Sequence, residues 1–223
     1  MPGRRLFASA GLGHARNRSY PDNMPGDFPD RANKPNVETA DDAHFLTFSC
    51  FQRRPFLSKD RTRAWFVDAL ERSRRTHGFH LWAWVVMPEH VHLLLWPGPG
   101  PEPARIAHIM YTLKKSVSNR AISFVRAQSP AFLAQMADAD EHGAVTHRFW
   151  QRGGGYDRSA YSAREIWEKI DYIHANPVRR GLCCHPTDRR WSSASADSDR
   201  SSGPLAIDFE SLPNPPKGYR VAF

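Results

Sequence analysis

The chain has 223 residues and a mass of 25.4 kDa, with a mean hydropathy of −0.60 and 40% hydrophobic residues. No apolar run nears the roughly 18 residues of a spanning helix, and no continuous h-region follows the basic N-terminus, so a membrane span and a secretory signal are not expected. Lys plus Arg number 31 against 23 acids, for a net charge of +8 and a pI of 9.7, an excess that favours a polyanionic partner and nucleic acid first.

Residues 1–42 are rich in Gly, Pro, Arg and Asn without periodicity and are expected to form a disordered leader. "HFLTFSCF" (44–51) is apolar and β-rich, so it is expected as a strand. "SKDRTRAWFVDALERSRRTHG" follows, with Ser58 or Asp60 as candidate caps. Trp65, Phe66, Ala69 and Leu70 fall at helical spacing, and Gly78 ends the segment. "FHLWAWVVM" (79–87) and "VHLLLWP" (91–97) read as a hairpin closed by the tight link "MPEH".

"ARIAHIMYTLKKSVSNRAISFVRA" places Ile106, Ile109, Met110, Leu113, Val117 and Ile122 near one helical face. An Ala/Asp/Gln-rich stretch (127–144) reads as a linker. "VTHRFWQRGGGYDRS" follows as a short strand and turn. In "SAREIWEKIDYIHAN" (162–176), Ser162 caps a helix with Glu165 three residues on, and Pro177 marks its end. The remainder, 194–223, is Ser- and Pro-rich and reads as a loosely docked tail. The order β-α-β-β-α-β-α predicts one α+β domain over 43–193. Its expected form is a ferredoxin-like or RRM-like antiparallel sheet with helices packed on it.

Cys50, Cys183 and Cys184 are too few and too oddly placed for a disulfide framework, which points to a reducing cytoplasm. No spaced Cys/His set suggests structural zinc. The chemistry gathers elsewhere. Strand alternation puts His90 and His92 on one side of "EHVHLLLW", where two imidazoles can bind a divalent metal or a phosphate. Tyr172 and Asn176 lie four apart on the last helix and share a face. The first offers a phenol, the second a carbonyl oxygen. Glu89 reads as an exposed turn acid.

Taken in order, "VVMPEHVHLLLW", "FWQRGGGYDRS" and "YIHANPVRRGL" followed by "WSS" resemble the REP-associated tyrosine transposases. These are relatives of the IS200/IS605 transposases within the HUH endonuclease superfamily. The likeness spans about 44–193. It implies a ferredoxin-like sheet with the histidines on a central strand, metal binding by His90 and His92, and Tyr172 as the single catalytic tyrosine. Asn176 falls where the insertion-sequence relatives have a glutamine that completes the metal site. Tyr156 is a rival tyrosine whose place before a turn fits a structural segment better.

The resemblance implies a transposase-like endonuclease that nicks and rejoins single-stranded or hairpin repeat DNA. It would work through a 5′-phosphotyrosine with Mg²⁺ or Mn²⁺, in the cytoplasm at the nucleoid, as a monomer, with a dimer the alternative. Lys114, Lys115, Arg120, Arg148, Arg152, Arg158, Arg179 and Arg180 are candidate phosphate contacts, and Trp150, Tyr156 and Trp191 candidate base-stacking rings. The rival readings are an RRM-like module that binds without cutting and a metal-dependent phosphoesterase without a tyrosine intermediate. The chain shows no RNP-type aromatic strand, which weighs against the first.

Overall fold

The structure is a computed structural model that describes residues 42–99, 104–197 and 203–220. The expected leader lies outside the described residues, apart from Asp42. Strand β1 (Ala43–Ser49) leads to helix α1 (Asp60–His77), then strands β2 (His80–Val86) and β3 (His90–Trp96), then helix α2 (Ile106–Gln128). Short strands β4 (Ala137–Ala139) and β5 (Val145–His147) follow, then β6 (Tyr156–Ala160) and helix α3 (Ala163–Arg179). The main sheet runs β2-β3-β1-β6 and every pairing in it is antiparallel. With β6 as the fourth strand, this is the predicted ferredoxin-like order.

The strand register sorts the side chains. Leu46 and Phe48 of β1, Trp84 and Val86 of β2, and Val91, Leu93 and Leu95 of β3 are buried in one cluster with α1 and α2. Phe45, Val85 and Leu94 join a second cluster with Ile166, Ile170 and Ile173 of α3. The two crossover helices thus cover one face and the additional helix the other. The period-two pattern produces this division, because successive side chains leave a strand on opposite sides.

Helix ends obey local chemistry unevenly. In α3 the Ser162 hydroxyl accepts from the Glu165 N–H at 3.2 Å, as predicted, while the Glu165 carboxylate accepts from the Tyr161 N–H at 2.9 Å. The helix runs two residues past Pro177 before stopping. In α1 the expected cap is not used: Lys59 holds the N-cap position without a side-chain bond. Asp60 instead accepts from the Trp191 indole at 2.8 Å and the Arg63 guanidinium at 2.9 Å.

Two segments differ from expectation. The stretch read as a linker contains β4, which pairs with β5 at the start of the segment read as a short strand. The signal of β4 is weak because it is only three residues long. The C-terminal stretch is held by specific bonds rather than loosely. Asp208 accepts through its carboxylate from the Leu81 N–H at 2.7 Å and donates its own N–H to the Leu81 carbonyl at 2.9 Å. Ahead of it, the Ser193 N–H reaches the Trp84 carbonyl and the Val86 N–H reaches the Trp191 carbonyl, both at 2.8 Å. The outer edge of β2 is therefore largely satisfied by the chain that follows α3, as an exposed sheet edge requires.

Candidate active site and nucleic-acid interface

His90 and His92 stand on the α3 face of β3, opposite Ser49 and Thr47 of β1, and are only 6% and 3% exposed. Their Nε2 atoms face each other at 3.0 Å. Each outer nitrogen is engaged: His90 Nδ1 with the Glu89 carboxylate at 3.2 Å, and His92 Nδ1 with the Thr47 hydroxyl at 2.7 Å. An ionised carboxylate only accepts, so the Glu89 contact places a proton on His90 Nδ1. Burial and the neighbouring His90 hold His92 well below the usual histidine range. It is therefore neutral near pH 7, the form that ligates a metal.

Helix α3 lays a stripe across this pair. Tyr172, Asn176 and Arg180 recur every four residues and so fall along one side. The Tyr172 ring sits edge-on to the His92 imidazole with centroids 5.5 Å apart, and edge-on to Phe45 at 5.7 Å. Asn176 is buried one turn from Tyr172, and its amide nitrogen donates to the Tyr172 carbonyl at 3.2 Å. Arg180 donates to the Glu89 carboxylate at 2.7 Å. Burial raises the Glu89 pKa, but the His90 bond and charge together with Arg180 outweigh it and hold it at about 2.

Four residues singled out by pattern, His90, His92, Tyr172 and Asn176, thus converge on one face. Glu89, expected as an exposed turn acid, is buried and bonded instead. The geometry suits a divalent cation. Two nitrogens each about 2.1 Å from one ion and at right angles to each other stand about 3 Å apart, close to the Nε2 spacing found. Both outer nitrogens have the partners that orient metal-binding imidazoles. Among the described residues no cluster of three His, Cys, Asp or Glu side chains could hold a metal. Protein ligation would therefore rest on the two imidazoles and the Asn176 oxygen, leaving positions open to substrate oxygens.

His174, which the sequence reading passed over, is fully buried on α3. Its Nε2 lies 2.7 Å from the Ser193 hydroxyl, and that hydroxyl accepts from the Trp84 N–H at 2.9 Å. Burial lowers its pKa to about 3, so it is neutral. It fastens α3 to β2 two residues from the tyrosine and explains the place of "WSS".

The candidate DNA contacts divide between the two faces of the sheet. Tyr156 pairs with Thr47, and Arg158 with Phe45, so both point toward α3. Tyr156 is 45% exposed beside Phe45, with rings 6.1 Å apart. The Arg179 guanidinium lies 5.5 Å from the Tyr172 ring centre.

On the opposite face Lys114, Lys115, Arg148 and Arg152 line a cleft of about 590 Å³, floored by Gly153–Gly155. Lys114 donates to the Gly153 carbonyl at 2.7 Å and Lys115 to the Tyr111 hydroxyl at 3.0 Å. Arg148 and Arg152 share the Asp138 carboxylate, which their hydrogen bonds hold below its usual pKa.

Four of the expected contacts are otherwise occupied. Trp150 is 5% exposed, packed against Phe48, Phe66 and Phe149, and its indole donates to the Lys114 carbonyl; a base cannot stack on it without opening the core. Arg120 bridges to Asp68 of α1 at 3.2 Å and covers the Trp65 ring. Arg180 is committed to Glu89. Trp191 is likewise buried and bonded to Asp60.

No protein-family model matches the chain, and no curated protein matches it. Among solved structures the fold is similar to that of a REP-associated tyrosine transposase bound to a REP hairpin, at 18% identity. The match covers 86% of this chain and 99% of that one, with a TM-score of 0.55. A candidate transposase from Deinococcus radiodurans matches at 19% identity over 65% of this chain and 96% of its own, with a TM-score of 0.38. At these identities the first likeness establishes a shared fold. The described residues include no helix long and apolar enough to cross a membrane.

Proposed function

We propose that the chain is a transposase-like enzyme of the REP-associated tyrosine transposase type, which cleaves and rejoins single-stranded or hairpin DNA. The observation that carries this reading is the meeting of the Tyr172–Asn176 side of α3 with the His90–His92 pair, the Tyr172 and His92 rings 5.5 Å apart. A Mg²⁺ or Mn²⁺ ion bound by the two imidazoles and Asn176 would supply charge stabilisation at the phosphate's non-bridging oxygens.

The protein's own part is positional and nucleophilic. His90 and His92 present their inner nitrogens from a buried strand, and Thr47 and Glu89 fix the ring orientations. Tyr172 supplies the attacking oxygen. A Tyr172 Oη–P bond forms, the P–O3′ bond breaks, the phenolic proton goes to solvent and the 3′ oxygen takes one up. The product strands are a 5′-phosphotyrosyl DNA and a free 3′-OH, and reversal by a 3′-OH rejoins them without a high-energy cofactor. All of these groups come from one chain, which supports action as a monomer. Tyr156, Arg158 and Arg179 on the same face, and the Lys114–Arg152 cleft on the other, supply stacking and phosphate contacts.

Incubation with hairpin DNA and Mn²⁺ followed by denaturing electrophoresis tests the reading. A protein–DNA adduct that resists denaturation and disappears in Tyr172→Phe, while hairpin binding persists, is expected. Cleavage that proceeds equally in Tyr172→Phe would favour a phosphoesterase without a tyrosine intermediate. Binding without any cleavage by the unaltered chain would leave a DNA-binding module.

A further inference from the structure

Tyr172, Asn176 and Arg180, each four residues apart and ending at the C-cap of α3, fall along one side, and the last of them does not touch the histidines directly. Arg180 sits one turn beyond Asn176, to whose carbonyl it donates its backbone N–H at 3.1 Å. Its guanidinium reaches Glu89 Oε1 at 2.7 Å, and the same oxygen lies 3.2 Å from His90 Nδ1. The helix that bears Tyr172 therefore meets the pair twice, its Tyr172 ring against His92 and its Arg180 end joined to His90 through a carboxylate.

Glu89 is 8% exposed, and a buried carboxylate needs compensating donors. Its side chain has two, His90 and Arg180. Releasing Arg180 to a DNA phosphate would strip the carboxylate of its cationic partner. The arginine is therefore better placed as an internal strut than as a backbone contact.

We propose that Glu89 and Arg180 are positioning residues: a carboxylate–guanidinium brace that sets the orientation and tautomer of His90 and ties it to the end of the helix bearing Tyr172. The brace makes cation affinity depend on a residue that never touches the cation. This rests on the metal-site reading above, and the brace can fail while that reading stands.

The experiment titrates Mn²⁺ into the full chain without DNA, by calorimetry and by loss of the free-ion resonance signal. Hairpin affinity is measured separately in EDTA. Glu89→Gln keeps the shape of the side chain and removes its charge; Mn²⁺ affinity is expected to fall roughly ten- to a hundredfold, the usual cost of losing an outer partner of a metal-bound imidazole. Arg180→Ala is expected to weaken Mn²⁺ roughly three- to tenfold, and Arg180→Lys to restore most of that loss. The double variant Glu89→Gln/Arg180→Ala is expected to match Glu89→Gln alone, because both residues act through one carboxylate.

Unchanged Mn²⁺ affinity in Arg180→Ala with weakened hairpin binding in EDTA would overturn the brace and return Arg180 to the DNA surface. Additive losses in the double variant would also overturn it. Failure of the unaltered chain to bind Mn²⁺ would overturn the metal reading and the brace together.

Discussion

The two faces of β3 show how differently a strand can use burial. Toward α1 and α2 it presents Val91, Leu93 and Leu95, which fill space among other apolar side chains. Toward α3 it presents His90 and His92, equally hidden from water yet bonded to Glu89, Thr47 and each other. Hiding an imidazole among hydrocarbons costs free energy unless its nitrogens find partners. The α3 face provides them, from a turn and a neighbouring strand. The α1–α2 face of β3 is thus wholly apolar at these positions, while the α3 face sets two bonded imidazoles beside the buried Leu94.

Substitutions sharpen that contrast. Tyr172→Phe is expected to lower adduct formation at least about a thousandfold, while shifting unfolding free energy by no more than about 1 kcal/mol; quantitative cleavage assays beside urea melts check both. Trp150→Ala, on the opposite face, is expected to cost about 3–5 kcal/mol of stability as a large core ring is lost. Its folded fraction should still bind Mn²⁺ normally in calorimetry.

Gly155→Ala sits between the two effects. Its φ of +90° disfavours a side chain, and an added Cβ would lie 2.4 Å from the Thr47 carbonyl. About 2 kcal/mol or more of destabilisation is expected from backbone strain and the clash. Mn²⁺ affinity should fall as well, because Thr47 holds His92.

Asp138→Asn should free Arg148 and Arg152 from their shared carboxylate. Hairpin binding is expected to tighten severalfold at low salt, with a log–log salt slope steeper by about one. Arg120→Ala should change least. Its pair with Asp68 is half exposed and worth at most about 1 kcal/mol, and fluorescence anisotropy should show unaltered hairpin affinity.

Legibility in the sequence followed the range of the interactions. The alternation His90-Val91-His92 and the four-residue step from Tyr172 to Asn176 are local, so their faces could be assigned from spacing alone. Ser162 and Glu165 were readable for the same reason. What the sequence did not disclose was set by partners far along the chain. Glu89 looked like a turn acid because the arginine that neutralises it lies 91 residues away. Trp150 looked like a stacking ring until β1 and α2 enclosed it. "VTHRFWQRGGGYDRS" was read as a short strand and turn with Tyr156 before the turn, whereas the structure has β5 at its start and Tyr156 opening β6 after the glycines. Only the tertiary fold shows that Phe149 bonds to Phe51 just past β1 and Gln151 to Ser49 at its end, before the glycines loop out and β6 resumes the pairing. The four-residue step does extend from Asn176 to Arg180, so that member of the stripe could have been found by continuing the count.

The covered rim of β2 has a consequence for any shortened form of the protein. Leu81, Trp84 and Val86 give their main-chain groups to Asp208, Ser193 and Trp191, and the Trp84 and Trp82 indoles donate to the Leu205 carbonyl and the Ser211 hydroxyl. Cutting the chain soon after α3 would lay bare a tryptophan-rich ribbon with unspent amide groups, a ready template for other strands. Its expected fate is precipitation rather than a smaller folded protein.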